Sequence, residues 1–244
     1  MNPSQESSAQ APSLALLIDG DNAQPSLLGL MLAETARYGS ITVRRIYGDW
    51  TSPQMSGWKG MLHTHAVQPV QQFRYTTGKN ATDSALIIDA MDLLHSGMVS
   101  GFCIASSDSD YTRLATRIRE QGLFVVGVGK KQTPKSFVNA CDVFVYTENL
   151  ADEARPSGAE PKSSEEASWV DTAKKAVESA GQDDGWALLS AVGSYIRQLD
   201  PAFDPRSFGY KQLSLLIKSR HDLFETRKSK SAEGTSVFFV KLAG

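Results

Sequence analysis

The order of apolar and polar residues between positions 14 and 150 constrains the fold more than any other feature of this chain. Short runs rich in Val, Ile and Leu alternate with stretches of helical periodicity, which is typical of a parallel sheet covered on both faces. The predicted strands are Leu14–Asp19, Ile41–Tyr47, Val67–Arg74, Gly101–Ser106, Leu123–Gly127 and Val143–Tyr146. The predicted helices are Ser26–Tyr38, Met55–His65, Thr82–His95, Tyr111–Gln121 and Pro134–Ala140. We therefore expect an α/β domain over residues 13–150.

The composition changes beyond residue 150. Residues 151–168 are small, polar and charged and contain two prolines, which predicts a linker. Residues 169–244 predict a small winged-helix-like α+β domain, in which three helices precede two strands. These helices are Trp169–Ala180, Gly185–Leu199 and Gly209–Ser219, and the turn between the strands is Ser229–Thr235. Residues 1–12 lack the basic and apolar regions of a signal peptide and predict a disordered lead.

Composition limits the location of the protein more than its function. The 244 residues are 41% hydrophobic and carry a net charge of -2, which fits a globular protein and excludes a uniformly basic coat. No apolar run approaches the roughly 20 residues of a membrane span. Cys103 and Cys141 both lie in apolar runs, which predicts buried thiols. We expect a cytoplasmic protein without membrane contact.

Acidic side chains, and one amide, follow two of the predicted strands. Asp19, Asp21 and Asn22 end the first strand, and Asp108 and Asp110 follow the strand Gly101–Ser106. Ligands of open parallel sheets bind beyond the carboxyl ends of the strands, so these groups are expected at one edge. A lone acid there could instead cap a helix, and Asp110 stands where the N-cap of the next helix would be.

Asp83 is a third acidic contribution, from the start of a predicted helix. It shares a helical stripe with Leu86, Ala90 and Leu94, so it should point inward, whereas Asp89 and Asp92 fall on other faces and are expected to be solvated. The helix dipole contributes only about 0.3–1 kcal/mol, which is small against the repulsion of several carboxylates. A divalent cation relieves that repulsion, and oxygen donors favour Mg²⁺ or Mn²⁺.

Two kinds of phosphate chemistry are compatible with this pattern. Carboxylate-bound cations commonly support phosphodiester hydrolysis. The alternative is a phosphatase of the haloacid dehalogenase type, in which the first Asp of "DGD" is the nucleophile, although Ala23 departs from that pattern. Ser106 and Ser107 have no His nearby in sequence and are predicted to donate or accept hydrogen bonds near the site.

Three ordered motifs, "LLIDGDN", "KNATDSALIIDAM" and "SSDSDYTRLATRIREQGLFVVGVG", resemble the NYN domain, the LabA-like branch of the PIN-type nucleases. The resemblance covers roughly residues 14–150 and implies a PIN-like fold with a metal-dependent ribonuclease site. It implies that the cation is held by four acids, namely Asp19, Asp83, Asp108 and Asp110. Asn22 would orient the scissile phosphate or a water, with Asp21 beside it. Lys79 matches a frequent family lysine that neutralises phosphate charge, but its loop here is one residue longer.

The second half resembles an OST-HTH, or LOTUS, domain. The resemblance rests on the Gly-Trp opening of "DDGWALLSAV", on "FDPRSFGYKQL" and on the closing hairpin, and it implies RNA or protein partners. Residues 205–244 hold eight basic and three acidic residues, a net charge of +5. Arg206, Tyr210 and Lys211 are predicted RNA contacts, with Tyr210 as a core residue in the alternative.

Together these features predict a Mg²⁺- or Mn²⁺-dependent endoribonuclease with a C-terminal RNA-binding module. The alternative is a regulator that holds RNA without cutting it.

Overall fold

Two sheets organise the chain in the computed structural model, which describes residues 11–73, 81–151, 163–230 and 236–243. The first region contains β1 (Ser13–Asp19), α1 (Leu28–Thr35), β2 (Ser40–Gly48), α2 (Lys59–His65), β3 (Gln68–Gln71), α3 (Ala81–Ser96), β4 (Gly101–Ala105), α4 (Thr112–Glu120), β5 (Phe124–Gly129), α5 (Lys135–Ala140), β6 (Val143–Tyr146) and α6 (Thr147–Ala151). The second contains α7 (Ser163–Ala180), β7 (Ala187–Leu188), α8 (Leu189–Leu199), α9 (Leu213–Ser219), β8 (Phe224–Lys230) and β9 (Ser236–Leu242).

The first sheet has six parallel strands in the order β3-β2-β1-β4-β5-β6. The chain runs outward in one direction through β1, β2 and β3, then returns to the other side of β1 and runs outward through β4, β5 and β6. The reversal between β1 and β4 opens a crevice at the carboxyl ends of those two strands, where ligands of such sheets bind. The predicted α/β fold is confirmed.

Strand β1 is buried on both faces of this sheet, which explains its unbroken apolar run. Ala15 and Leu17 pack into one core, with residues of α3, α4 and α5. Leu16 and Ile18 pack into the other core, with residues of α1 and α2. The alternation follows from the two-residue period of a strand.

The second sheet has three antiparallel strands in the order β7-β9-β8. Helices α7, α8 and α9 pack against one face of it, and Trp169, Ile196, Leu216 and Val240 are buried between them. This arrangement confirms the predicted small α+β domain.

Several boundaries differ from the sequence expectation because 3-10 turns precede the helices. Such turns span Pro25–Leu27, Pro53–Trp58 and Ser109–Tyr111. Helix α7 begins at Ser163, inside the predicted linker, and residues 152–162 of that linker lie outside the described residues. The predicted lead, except for its last two residues, and most of the predicted turn Ser229–Thr235 also lie outside them.

The loop after α8 lies against the outer edge of the first sheet. The backbone N–H of Phe144, in β6, donates to the carbonyl oxygen of Pro201 at 2.8 Å. Ala202, next in the chain, is buried in one core of the first sheet. The second half of the chain therefore covers the edge strand of the first half.

Two polar contacts extend this interface. The side-chain amide of Asn149, in α6, donates to the hydroxyl of Ser207 at 2.8 Å. The guanidinium of Arg206 lies 3.0 Å from the carboxylate of Glu34, in α1. Glu34 is buried, so its charge is stabilised by a residue from the other half of the chain.

Two further expectations concern the chain as a whole. Cys103 and Cys141 are buried free thiols, as predicted, and burial raises the pKa of Cys103 to about 12. Among the helices of the described ranges, none combines the length and the apolarity that a bilayer crossing requires.

Candidate metal centre

Three carboxylates meet at the crevice between β1 and β4. Asp83 comes from the first turn of α3, and Asp108 and Asp110 come from the segment that follows β4. One oxygen of each lies within 4.8 Å of the others. Oxygen ligands lie about 2.0–2.6 Å from Mg²⁺ or Ca²⁺, so two ligands of one cation stay within about 5 Å of each other. The three carboxylates therefore fit a shared divalent cation.

Asp19 is fully buried at the end of β1, next to this group but not part of it within that distance. Its Oδ2 accepts hydrogen bonds from the Asn22 amide at 2.6 Å and from the Ser106 hydroxyl at 2.9 Å. Its Oδ1 accepts a bond from the backbone N–H of Asp21 at 3.1 Å. Burial raises the pKa of the Asp19 carboxyl, and these bonds oppose that rise. Asp19 therefore fixes the turn that follows β1 and connects it to Ser106 at the end of β4.

Gly20 allows the chain to turn directly after Asp19. Its N–H donates to the carbonyl oxygen of Tyr47 at 2.9 Å. A Cβ at this position would lie 2.7 Å from that oxygen and 2.6 Å from the terminal carbon of Met55. The middle residue of "DGD" must therefore lack a side chain, and the turn brings Asn22 back to Asp19.

Asp108 has a second role as a helix cap. Its Oδ1 accepts a bond of 2.9 Å from the N–H of Asp110 at the start of the 3-10 turn that leads into α4. Of the two acids for which a capping role was the alternative, Asp108 is the cap and Asp110 is not, because Asp108 is the last residue with extended backbone. Its own N–H donates to the Ser106 hydroxyl at 3.1 Å, so Ser106 connects the ends of β1 and β4.

The charge of Asp83 is unfavourable in the metal-free protein. Burial raises the pKa of its carboxyl, and the negative charges of Asp19, Asp108 and Asp110 raise it further. The hydroxyl of Tyr111 donates to its Oδ1 at 2.7 Å and opposes the rise. A cation would relieve both unfavourable effects, since it replaces lost solvation and offsets the repulsion.

The prediction that Asp89 is solvated is wrong. Asp89 accepts short hydrogen bonds from the Arg45 guanidinium and the Tyr47 hydroxyl, both on β2. Its side chain is only 25% exposed, so this carboxylate is neutralised within the fold. Asp92, in the same helix, is exposed as expected.

Two polar residues at this edge of the sheet are not among the predicted site residues. Tyr111 is buried, and in the sequence it is only the first residue of a predicted helix. Lys130 is exposed directly after β5, and its N–H donates to the Ser107 hydroxyl at 2.9 Å. Lys130, Ser107 and Asn22 line one small pocket together with Ser106, whose hydroxyl donates to Asp19. A basic pair following a buried strand, in "GVGKK", was the available signal. Lys79 lies outside the described residues.

The three predicted RNA contacts have different surroundings. Arg206 is 12% exposed and forms ion pairs with Asp204 and Glu34. Tyr210 is half-buried and packs against the core of the second domain. Lys211 is exposed. Arg206 therefore belongs to the contact between the two halves, and Tyr210 to the packed core.

A six-stranded parallel sheet flanked by helices, with acids at its switch point, defines a PIN-like α/β domain. The family model described as the NYN domain matches residues 13–150, and the model described as the OST-HTH/LOTUS domain matches residues 167–235. The chain thus belongs to the NYN domain family, and its second half carries an OST-HTH/LOTUS domain. Both resemblances seen in the sequence are confirmed.

Two solved structures that resemble this chain are of proteins described as uncharacterised or of unknown function. A protein of unknown function from Vibrio parahaemolyticus is 15% identical, with a TM-score of 0.48, over 57% of this chain and 94% of the other. An uncharacterised protein from Nitrosomonas europaea is 32% identical, with a TM-score of 0.28, over 36% of this chain and 78% of the other. No curated protein sequence matches the chain.

Proposed function

We propose that the chain is a divalent-metal-dependent endoribonuclease whose OST-HTH/LOTUS domain holds the RNA. The observation that carries this proposal is the meeting of Asp83, Asp108 and Asp110 at the switch point of an NYN-family sheet. Mg²⁺ or Mn²⁺ suits a donor set made only of carboxylate oxygens. When bound, such a cation supplies Lewis-acid activation of a phosphodiester and of water.

The residues of the chain have separate roles in this proposal. Asp83, Asp108 and Asp110 would hold the cation, and Tyr111 orients Asp83 through its hydroxyl. Asp19 supports the group from its buried position and could bind the cation only if its bonds to Asn22 and Ser106 rearranged.

Two polar groups beside the acids face the substrate in this proposal. Asn22, held by Asp19, would orient the scissile phosphate from the neighbouring pocket. Lys130 is exposed at the same pocket and would offset phosphate charge there. A cation at this position matters because the acids by themselves repel the RNA backbone.

One observation favours the second candidate function, a regulator that binds RNA without cutting it. Both oxygens of Asp19 accept hydrogen bonds, and Asp110 is exposed, so the centre depends on two half-buried acids. The phosphatase alternative loses support, because a nucleophile must contact the substrate and Asp19 is fully buried.

The test is cleavage of a mixed set of labelled RNAs with Mn²⁺, with Mg²⁺ and with chelator. Asp108→Asn is the decisive variant, because Asn remains a good helix cap and only the charge is lost. Asp92→Asn is the matched control, since it removes an exposed charge from α3. We expect loss of cleavage only in Asp108→Asn. RNA binding without cleavage in the wild type would instead support the regulator.

A further inference from the structure

The three-stranded sheet of the second domain has one face that the helices do not cover. Val240 and Ala187 are paired across β9 and β7 and are buried against the helices. Because strand residues alternate between faces, the neighbours of this pair point to the opposite side. We call that side the outer face and define it by three residues: Trp186, Arg227 and Phe239.

These three side chains form one layered group. Arg227, in β8, stands directly opposite Phe239 in the pairing with β9. Its guanidinium carbon lies 4.6 Å from the ring centre of Trp186 and 5.2 Å from that of Phe239. Cation–π contact with two rings holds the guanidinium in place, although Arg227 remains exposed.

The two aromatic rings are only half-buried, which is unusual for core residues of their size. They stand on an exposed sheet face, and the large rings of the core, such as Trp169 and Phe224, lie on the other side. Packing within the domain therefore explains the burial of Trp169 and Phe224, whereas Trp186 and Phe239 remain partly exposed and open to a ligand.

The hairpin of β8 and β9 carries both signs of charge. Arg227 and Lys241 lie on the outer face, and Lys228 lies beside Phe238 on the reverse side. Glu225 stands opposite Lys241 on the outer face, and Asp184 is exposed two residues before Trp186. The positive charge that a ligand of the stacked layer would meet is therefore that of Arg227, within the layer itself.

We propose that the outer face binds unpaired RNA, with one base stacked on the layer of Trp186, Arg227 and Phe239. Unpaired bases stack on aromatic rings and on arginine planes, and the phosphates between them pair with neighbouring basic groups such as Lys241. An acidic peptide would use the charges but leave the planar stack without a matching group. The inference rests on the proposed function, because it names the RNA class that the second domain presents to the acidic centre.

This assignment differs from the one based on sequence. Arg206 is held by two carboxylates and Tyr210 packs on the core, so neither offers a planar group to a base. Trp186 and Arg227 are 41 residues apart in the chain, and pairing in the sheet brings them together. A stretch of sequence around either residue carries no sign of the other.

The test uses the full chain in chelator, so that binding is measured without cleavage. The probes are a fluorescent 20-nucleotide RNA without self-pairing and a hairpin RNA of the same length. We expect Trp186→Ala and Arg227→Ala to weaken binding of the unpaired RNA by about tenfold or more, since stacking is strong. The control is Arg117→Ala, which removes an exposed guanidinium from α4.

Arg227→Lys separates stacking from charge and guards against an unfolded variant. Lysine keeps the charge and loses the plane, so affinity should fall while the dependence on salt stays the same. Lys241→Ala keeps the stacked layer and removes a charge, so it should lower the salt slope by roughly 0.7. Melting temperatures near that of the wild type would confirm that the variants are folded.

The possible outcomes separate this inference from the proposed function. If Trp186→Ala and Arg227→Ala, both folded, bind the unpaired RNA as tightly as the wild type, the inference is overturned and the face becomes a candidate for protein docking. The same holds if the hairpin RNA binds more tightly and depends more on Trp186 than the unpaired RNA does. Absence of cleavage by the wild type with Mn²⁺ would overturn the ribonuclease proposal and leave this one intact.

Discussion

The hydroxyl of Tyr111 donates a hydrogen bond of 2.7 Å to Oδ1 of Asp83. Tyr111 is buried and its ring lies 6.3 Å from that of Phe137, so its position is set by packing. Asp83, by contrast, is half-buried and stands at the open end of α3. A rigid side chain of the core therefore determines where one acid of the centre points.

Replacing Tyr111 by Phe tests this relationship. The ring is kept and only the hydroxyl is lost, so cleavage should fall by about 10- to 150-fold, as a hydrogen bond to a charged group is worth about 1.5–3 kcal/mol. The pKa of Asp83 should rise further, which moves the rise of the pH–rate profile to higher pH. Tyr195→Phe removes an exposed hydroxyl and serves as the control. An unchanged profile in Tyr111→Phe would mean that Asp83 is oriented by other contacts.

The raised pKa of Asp83 also predicts how stability depends on pH without metal. The Asp83 carboxyl keeps its proton to a higher pH in the folded protein than in the unfolded chain. The contribution of this protonation to the free energy of unfolding is therefore complete below the unfolded pKa. It is lost as the pH rises through the folded pKa. In chelator, the melting temperature of Asp83→Asn should therefore rise relative to that of the wild type as the pH increases. Asp92→Asn, from the exposed side of α3, should show no such gain.

Metal binding should stabilise the folded chain. A cation that binds only the native state adds RT ln(1 + [L]/Kd), about 2.7 kcal/mol at a hundredfold excess over Kd. Mn²⁺ should thus raise the melting temperature of the wild type by several degrees and have less effect on Asp83→Ala and Asp110→Ala. Asp92→Ala should respond as the wild type does. Equal shifts in all four proteins would place the metal elsewhere.

The ion pair between Arg206 and Glu34 should stabilise the contact between the two halves. Loss of one partner of a buried pair typically costs about 3–5 kcal/mol, and the value here should fall near the lower limit because Arg37 also contacts Glu34. Arg206→Met should therefore lower stability to urea far more than Arg37→Met, whose side chain is 60% exposed. The double variant with Glu34→Gln should recover part of the loss. Similar effects of the two Arg variants would contradict a buried interdomain pair.

The same interface predicts the behaviour of a chain that has been cut. A specific protease site placed between residues 152 and 162 should give two fragments that still elute together, because the contacts of Phe144, Asn149 and Glu34 remain. Arg206→Glu places a like charge beside Glu34 and should separate the fragments. If the fragments of the cut chain that keeps Arg206 elute separately, the two halves are held together by the backbone alone.

The strands of the first sheet could be predicted because the burial of each strand shows in its own short run of residues. A run such as that of β1 is apolar on both faces, and only a covered parallel strand accounts for it. The 3-10 turns at Pro25 and Pro53 were partly merged into the predicted helices, since one or two turns are too short for a period of 3.0 residues to be distinguished from one of 3.6. The two-residue strand β7 is too short to carry a pattern of its own.

The candidate site was predictable only where side chains of one type recur. Asp19, Asp83, Asp108 and Asp110 were expected together, because strand ends meet at one edge and the apolar stripe of α3 turns Asp83 inward. Carboxylate oxygens of Asp83, Asp108 and Asp110 lie within 4.8 Å of one another, and Asp19 is outside that group. The surroundings of Asp89 and Arg206 were not predictable, since their partners Arg45 and Glu34 are distant in the chain. An exposed and a neutralised charge have the same sequence signal, and only the fold separates them.

The hydrogen bond from Phe144 to Pro201 bears on how this pair of modules can be inherited or engineered. A strand edge left open invites pairing with another chain. A gene fragment that ends after the NYN domain would expose the edge of β6 and leave Glu34 without Arg206, so its product should self-associate. Exchange of the second module for that of another protein should succeed only if the donor supplies an equivalent loop and a matching arginine. The unit that can be transplanted is therefore the whole two-module chain.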